Sequence, residues 1–126
     1  MKIHESGENY LEAILIIKQR QETVRSIDLA KEMNFTKASV SRAVNKLKED
    51  LFITVDDNGY LELTDKGLEL ATKIYDRHRF FTDFLIYIGI DKNIATQDAC
   101  KIEHVLSAES YQAMKNYLTK AKKENI

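Results

Sequence analysis

The chain has 126 residues, 44% of them hydrophobic, and its 19 basic and 20 acidic side chains leave a formal net charge of −1. That length admits one ordinary domain or two small subdomains, and the balanced charge excludes binding to nucleic acid or membrane through bulk electrostatics, so any basic surface must be local. The single cysteine excludes an internal disulfide; with a polar start and no apolar run longer than Phe84–Ile90, it leads us to expect a cytoplasmic protein with no membrane partner.

Residues 8–20 lack any helix breaker, and Tyr10, Leu11, Ile14, Leu15 and Ile17 recur at helical spacing. Glu5, Glu8, Asn9 and Glu12 gather on the remaining side, where acids also suit the positive end of a helix dipole. Residues 24–50 then read as two helices. Ser26 is the expected N-cap of a short one ending near Met33, and Thr36 caps a longer one running to about Asp50. Asn34 stands at the turn between them, where a left-handed residue is wanted. Val40, Val44 and Leu47 form the buried stripe of the second helix, opposed by Leu29, Met33 and Phe35, with small Ala30 at the crossing. This is helix-turn-helix spacing.

The other face of that second helix presents Lys37, Ser39, Ser41, Arg42, Asn45 and Lys46. The local field is positive although the chain's is not. One Arg with short hydroxyls near a helix start suits a major-groove reader, the Arg for guanine and the hydroxyls for phosphates and base edges. Thr36 and Ala38 belong to the same start, and Arg25 precedes the first helix, so Arg25, Thr36, Lys37, Ala38, Ser39, Ser41, Arg42, Asn45 and Lys46 are the candidate DNA-binding residues. A solvated basic face is the ordinary alternative.

Residues 51–63 read as a β-hairpin, Phe52–Val55 and Tyr60–Leu63 around Asp57-Asn58-Gly59. A hairpin directly after a recognition helix is a wing, and acidic Asp56-Asp57 at its tip would repel phosphate. Thr64 caps a long helix expected to reach Tyr87 and stop at Gly89. Leu70, Ala71, Ile74, Phe81 and Leu85 share one stripe, into which His78 points. After a loop through Asp91 comes Asp98-Ala99-Cys100-Lys101-Ile102-Glu103-His104. At about 100° per residue, a helix there places Cys100, Glu103 and His104 side by side, with Thr96 and Ser107 extending the stripe. Ala99, Ile102, Val105 and Leu106 fall on the opposite side and are expected to pack. Ser107 caps a last helix to about Lys120, followed by a charged tail.

Sulfur, oxygen and nitrogen donors together suit a borderline transition metal such as Fe(II), Co(II), Ni(II) or Zn(II), and do not suit Mg or Ca. The bland reading is a solvated Glu103, paired with His104, beside an ordinary buried cysteine. Two further readings stay open: Cys100 as a redox switch in a winged-helix regulator, and a small metallohydrolase using Glu12 as base. The second is disfavoured by the absence of Pro and by only four Gly with which to shape active-site loops.

The order helix, helix-turn-helix, hairpin, long helix, Cys-x-x-Glu-His resembles the diphtheria-toxin-repressor family of iron- and manganese-dependent transcriptional regulators over nearly the whole chain. Glu8-Asn9-Tyr10-Leu11-Glu12, Ser39-Val40-Ser41, Leu63-Thr64-Asp65-Lys66-Gly67, Arg77-His78-Arg79 and Ala99 to Val105 carry the resemblance. It implies a mainly α fold with a small hairpin: a winged helix-turn-helix over residues 1–63 and a helical metal-binding and dimerisation domain over 64–126, without the SH3-like third domain of longer members. It also implies a homodimeric repressor of metal homeostasis, paired through its C-terminal helices on a palindromic DNA operator. By the same resemblance Asn9, Cys100, Glu103 and His104 form the primary metal site, Asn9 standing where the family usually has Met or Asp. Glu12 and His78 fall where the manganese-responsive branch has ligands for a second ion. Thr82 and Thr96 replace ancillary ligands of the iron-type branch, so one site per protomer is expected. Cys100 is the iron-type choice, which ranks Fe(II) first and Mn(II) second.

Overall fold

Six helices and one two-stranded hairpin make up the described residues, 5–124 of the computed structural model. The polar start before Glu5, the Glu5 side chain assigned to the first polar stripe, and the last two residues of the charged tail lie outside them. Helix α1 spans Glu5–Arg20, α2 Ser26–Met33, α3 Lys37–Glu49, strand β1 Ile53–Val55, β2 Leu61–Leu63, α4 Asp65–Tyr87, α5 Lys92–Ile102 and α6 Ala108–Glu124. None of the helices is long and apolar enough to cross a membrane. The chain divides into two compact units, the first ending at Ile74 and the second beginning at Tyr75, so α4 contributes turns to both.

In the first unit the apolar stripes of α1, α2 and α3 share one core. Leu11, Ile14, Val24, Leu29 and Val40 have no exposed surface, and Val44 and Leu47 are buried with them. Burying a branched aliphatic side chain of this kind contributes about 1.5–3 kcal/mol. Asn34 adopts φ 56°, ψ 45°, the left-handed geometry the turn requires, and its N–H closes on the Ala30 carbonyl. Thr36 caps α3, its hydroxyl accepting from the Ser39 N–H at 3.1 Å. Two expectations are corrected here. The N-cap of α2 is Arg25, whose N–H donates to the Asp28 carboxylate at 2.9 Å, so Ser26 is the first helical residue. Phe35 is 49% exposed, standing 5.9 Å from the Tyr10 ring instead of facing the α3 stripe.

Helix α3 ends in a Schellman motif. The Phe52 N–H reaches the Leu47 carbonyl at 3.0 Å and the Leu51 N–H the Lys48 carbonyl at 3.1 Å, which sets Leu51 at φ 67° with its side chain 69% exposed. The same closure ends α4, where Gly89 at φ 102° occupies the left-handed position.

The hairpin strands are shorter than expected, because Phe52 and Tyr60 fall outside the pairing Ile53↔Leu63, Thr54↔Glu62 and Val55↔Leu61. The turn is built on Asp56 instead of on a two-residue Asn-Gly loop. Its carboxylate accepts from the N–H groups of Asn58 and Tyr60, both at 2.9 Å, and Gly59 supplies φ 81°. The wing is anchored on its other edge by the Leu61 N–H, which donates to the Val24 carbonyl at 2.7 Å.

Thr64 joins wing to helix: its N–H meets the Phe52 carbonyl at 3.0 Å and its hydroxyl the Leu51 carbonyl at 2.7 Å, while that oxygen caps Gly67. Gly67 is obligatory, since a Cβ there would stand 2.0 Å from the Phe52 carbonyl oxygen.

The second unit is built from the C-terminal half of α4 with α5 and α6 around Phe81, Ala99 and Tyr111, with Phe80, Ile102 and Leu106 packed against them. Asp91 caps α5 by accepting from Asn93, and Ser107 caps α6 by accepting from Ser110. Helix α6 continues past Lys120 to Glu124, as its run of Lys, Ala and Glu, all strong helix formers, permits.

Candidate metal centre and nucleic-acid interface

Cys100, Glu103 and His104 do come together, though by a different local structure from a continuous helix. Helix α5 stops at Ile102 with Glu103 as its C-cap, and the Val105 N–H turns in to the Ile102 carbonyl at 3.1 Å. His104 therefore lies just beyond the helix. Val105, expected to pack, is 77% exposed, while Ala99 is buried and Ile102 and Leu106 half-buried. One ligand atom from each of Cys100, Glu103 and His104 lies within 4.8 Å of the others.

Glu103 is the hub. It has no exposed surface, an arrangement a carboxylate tolerates only with strong partners. Its Oε2 lies 2.9 Å from His78 Nδ1, and its Oε1 lies 3.2 Å from His104 Nε2 without the alignment of a hydrogen bond. The His78 and His104 side chains are 22% and 2% exposed. A buried carboxylate oxygen with no hydrogen bond, 3.2 Å from an imidazole in a cluster that includes a thiol, is what a shared cation would satisfy. The mixed donors match a transition metal, so the residues present fit a bound divalent ion.

The Glu103–Leu106 turn is held by Arg77, which the spacing did not single out. Its Nη1 donates to the carbonyls of Glu103 at 3.2 Å and Leu106 at 2.8 Å, satisfying acceptors that a helix end leaves open. A charged residue at the Ile74–Phe81 spacing of an apolar stripe was the available signal.

Asn9 and Glu12 stand three residues apart on α1 in the first unit, Asn9 half-buried and Glu12 buried. Thr82 has a buried hydroxyl, and the Thr96 hydroxyl turns back to the Lys92 carbonyl at 2.8 Å.

The candidate DNA-binding residues share the exposed side of the first unit. Thr36, Lys37, Ala38, Ser41, Arg42, Asn45 and Lys46 are exposed, and Ser39 is half-buried. The Thr36 hydroxyl donates to Ser39 Oγ at 3.0 Å, and Arg42 Nη2 reaches the same oxygen at 3.5 Å, so the Arg42 side chain is directed before any ligand arrives. Lys46 is drawn partly toward Asp50, 3.7 Å away. Arg25 lies across the Tyr60 ring, 4.6 Å from its centroid, and bonds its hydroxyl at 3.2 Å, which places it on the wing side. The Asp56 carboxylate is engaged within its own turn, leaving Asp57 as the outward acid of the tip.

Comparison with known proteins gives two family matches. Residues 2–67 match the iron dependent repressor N-terminal DNA binding domain, and residues 64–125 match the iron dependent repressor metal binding and dimerisation domain. An HTH-type transcriptional regulator of Methanocaldococcus jannaschii is 35% identical over 120 residues, covering 94% of this chain and 96% of its own. The HTH-type transcriptional regulator MntR of Listeria welshimeri is 32% identical over 111 residues, 88% of this chain and 78% of its own. Among solved structures, the manganese regulator SloR superposes with a TM-score of 0.80 at 26% identity over 94% of this chain. A manganese-dependent transcriptional repressor in complex with manganese gives 0.79 at 25% identity over 90%. The chain spans about half the length of these two solved regulators, 55% and 52%.

Proposed function

The chain belongs to the iron-dependent repressor family of metal-dependent transcriptional regulators, which are not enzymes, and from that premise we propose that it is a homodimeric repressor whose grip on a palindromic operator depends on Fe(II) or Mn(II). The observation that carries this is the meeting of Cys100, Glu103 and His104 around a buried carboxylate oxygen. These three residues, all in the second unit, hold the ion. The thiol favours iron, whereas the two solved regulators described as manganese-responsive favour the other metal.

When bound, the ion would supply a positive charge to the buried Glu103 carboxylate and a coordination link that ties the last turn of α5 to the residues just beyond it. The residues of α3 do the reading: Arg42, directed by Ser39, addresses base edges, and Lys37, Lys46 and the hydroxyls address phosphates. In a dimer, two such helices must meet successive major grooves about 34 Å apart. Shifting the protein from mostly incompetent to mostly competent for that spacing requires a difference of about 5 kcal/mol in metal affinity between the two states, within reach of transition-metal coordination.

The test is anaerobic titration of the metal-free protein with Fe(II) and Mn(II), read by fluorescence anisotropy on a palindromic DNA. Wild-type affinity rises with metal, and His104→Ala removes that dependence while its circular dichroism stays folded. Equal DNA affinity with and without metal sinks the reading.

A further inference from the structure

Arg77 stands outside the donor set, yet it decides where two of the donors sit. It is 5% exposed, and a guanidinium cannot escape burial by losing its proton. Its charge is answered by the main chain: Nη1 donates to the Glu103 and Leu106 carbonyls, and the group lies 5.0 Å from the Tyr111 ring centroid. The negative end of the α5 dipole falls at the same place. Those two carbonyls bracket His104, so the bonds that end α5 also fix the backbone on either side of that imidazole. The next residue of α4, His78, takes the Glu103 carboxylate through Oε2. Helix α4 thus holds Glu103 twice, by its carbonyl and by its side chain, and leaves Oε1 beside His104.

Placing a permanent cation near a cation site weakens metal binding by repulsion, so a bare helix cap is better served by a neutral donor. Nη1 aims its two N–H groups in the fixed plane of the guanidinium at two carbonyls three residues apart, on a charge that burial cannot remove. Resting on the reading of Cys100, Glu103 and His104 as a cation site, we propose that Arg77 is a positioning residue for that site, clamping the Glu103–Leu106 turn so that Glu103 and His104 present their donors in one arrangement.

The test uses the full chain, made metal-free and kept anaerobic, as wild type, Arg77→Lys and Arg77→Met, with Co(II) as the probe. Near-ultraviolet absorption reports the thiolate-to-cobalt band from Cys100 and visible absorption the ligand-field bands of the coordination sphere, and thermal unfolding of the metal-free protein is measured alongside. Wild type shows both bands. Arg77→Lys keeps the charge and the thiolate band but shifts and weakens the ligand-field bands, and binds Co(II) about tenfold more weakly, because a rotating ammonium on a flexible stem does not fix the two carbonyls in direction as the planar guanidinium does. Arg77→Met shows the larger loss; if it does not fold, the Lys variant decides. Variants that melt earlier yet bind Co(II) with wild-type affinity and an unchanged spectrum show a plain helix cap and overturn the proposal. A wild-type protein with no thiolate band overturns the cation-site reading itself, and the proposal with it.

Discussion

Glu103 is a residue kept where stability alone would not place it. Its carboxylate is fully buried, and such groups are often replaced by neutral ones at no loss of stability. Glu103→Gln is therefore expected to leave the metal-free protein at least as stable by thermal melting, while lowering Co(II) affinity by more than about a hundredfold, beyond the tenfold to hundredfold typical of outer-shell changes. Burial also pushes the phenols of Tyr10 and Tyr111 above the usual 10.0; Arg42 opposes this at Tyr10, and at Tyr111 Asp76 adds to it while Arg77 opposes. The folded chain holds these protons more tightly than the unfolded one, so their contribution is complete below about pH 10 and fades as pH rises through the folded-state values. Tyr111→Phe removes part of that alkaline loss in pH-dependent melts. It costs little at neutral pH, because the Tyr111 hydroxyl is buried without a hydrogen bond. At this scale the meeting of residues 100, 103 and 104 could be read from spacing, but the helix end between them could not. No Gly or Pro marks that end. It is made by Arg77, 26 residues upstream of Glu103, and the same nonlocal stop turns Val105 outward.

Elements whose ends rest on local chemistry could be read from the chain directly: Thr36, Asn34, Thr64, Ser107 and Gly89 each end or begin a helix through atoms a few residues away. Where two neighbours compete, the capping preference of the residue type alone does not choose, and Arg25 takes the cap position from Ser26 because Asp28, three residues on, reaches its N–H. The wing departs for a similar reason. Asp56 captures two backbone N–H groups and so shortens the strands that Asn58-Gly59 alone would allow. Two substitutions follow at this scale. Thr36→Ala lowers stability by about 1 kcal/mol through the lost cap and loosens Ser39 and Arg42 with it, so DNA affinity falls further than that of a cap variant on α5. Gly67→Ala drives a methyl into the Phe52 carbonyl and costs about 1–3 kcal/mol; thermal or urea unfolding reads both.

For the whole molecule, the near-zero net charge means that attraction to DNA comes from one face and not from the protein's overall field. Operator affinity should then fall linearly on a log–log salt plot, and Lys37→Ala should reduce the slope by about 0.9 if Lys37 neutralises one phosphate. Arg42→Ala should instead flatten discrimination between operator and scrambled DNA, by about 1–3 kcal/mol. A chelator should lower operator affinity without altering the melting profile of the DNA-reading unit, because the core of that unit is built from its own helices. One feature of that unit offers unused headroom. Gly89 fills the left-handed position that closes α4, but at the equivalent position closing α3 stands Leu51, its side chain in water. Leu51→Asn should recover about 0.5–1 kcal/mol of backbone strain at a place that touches neither metal nor DNA candidates, giving a sturdier background in which damaging variants of the site remain foldable enough to measure.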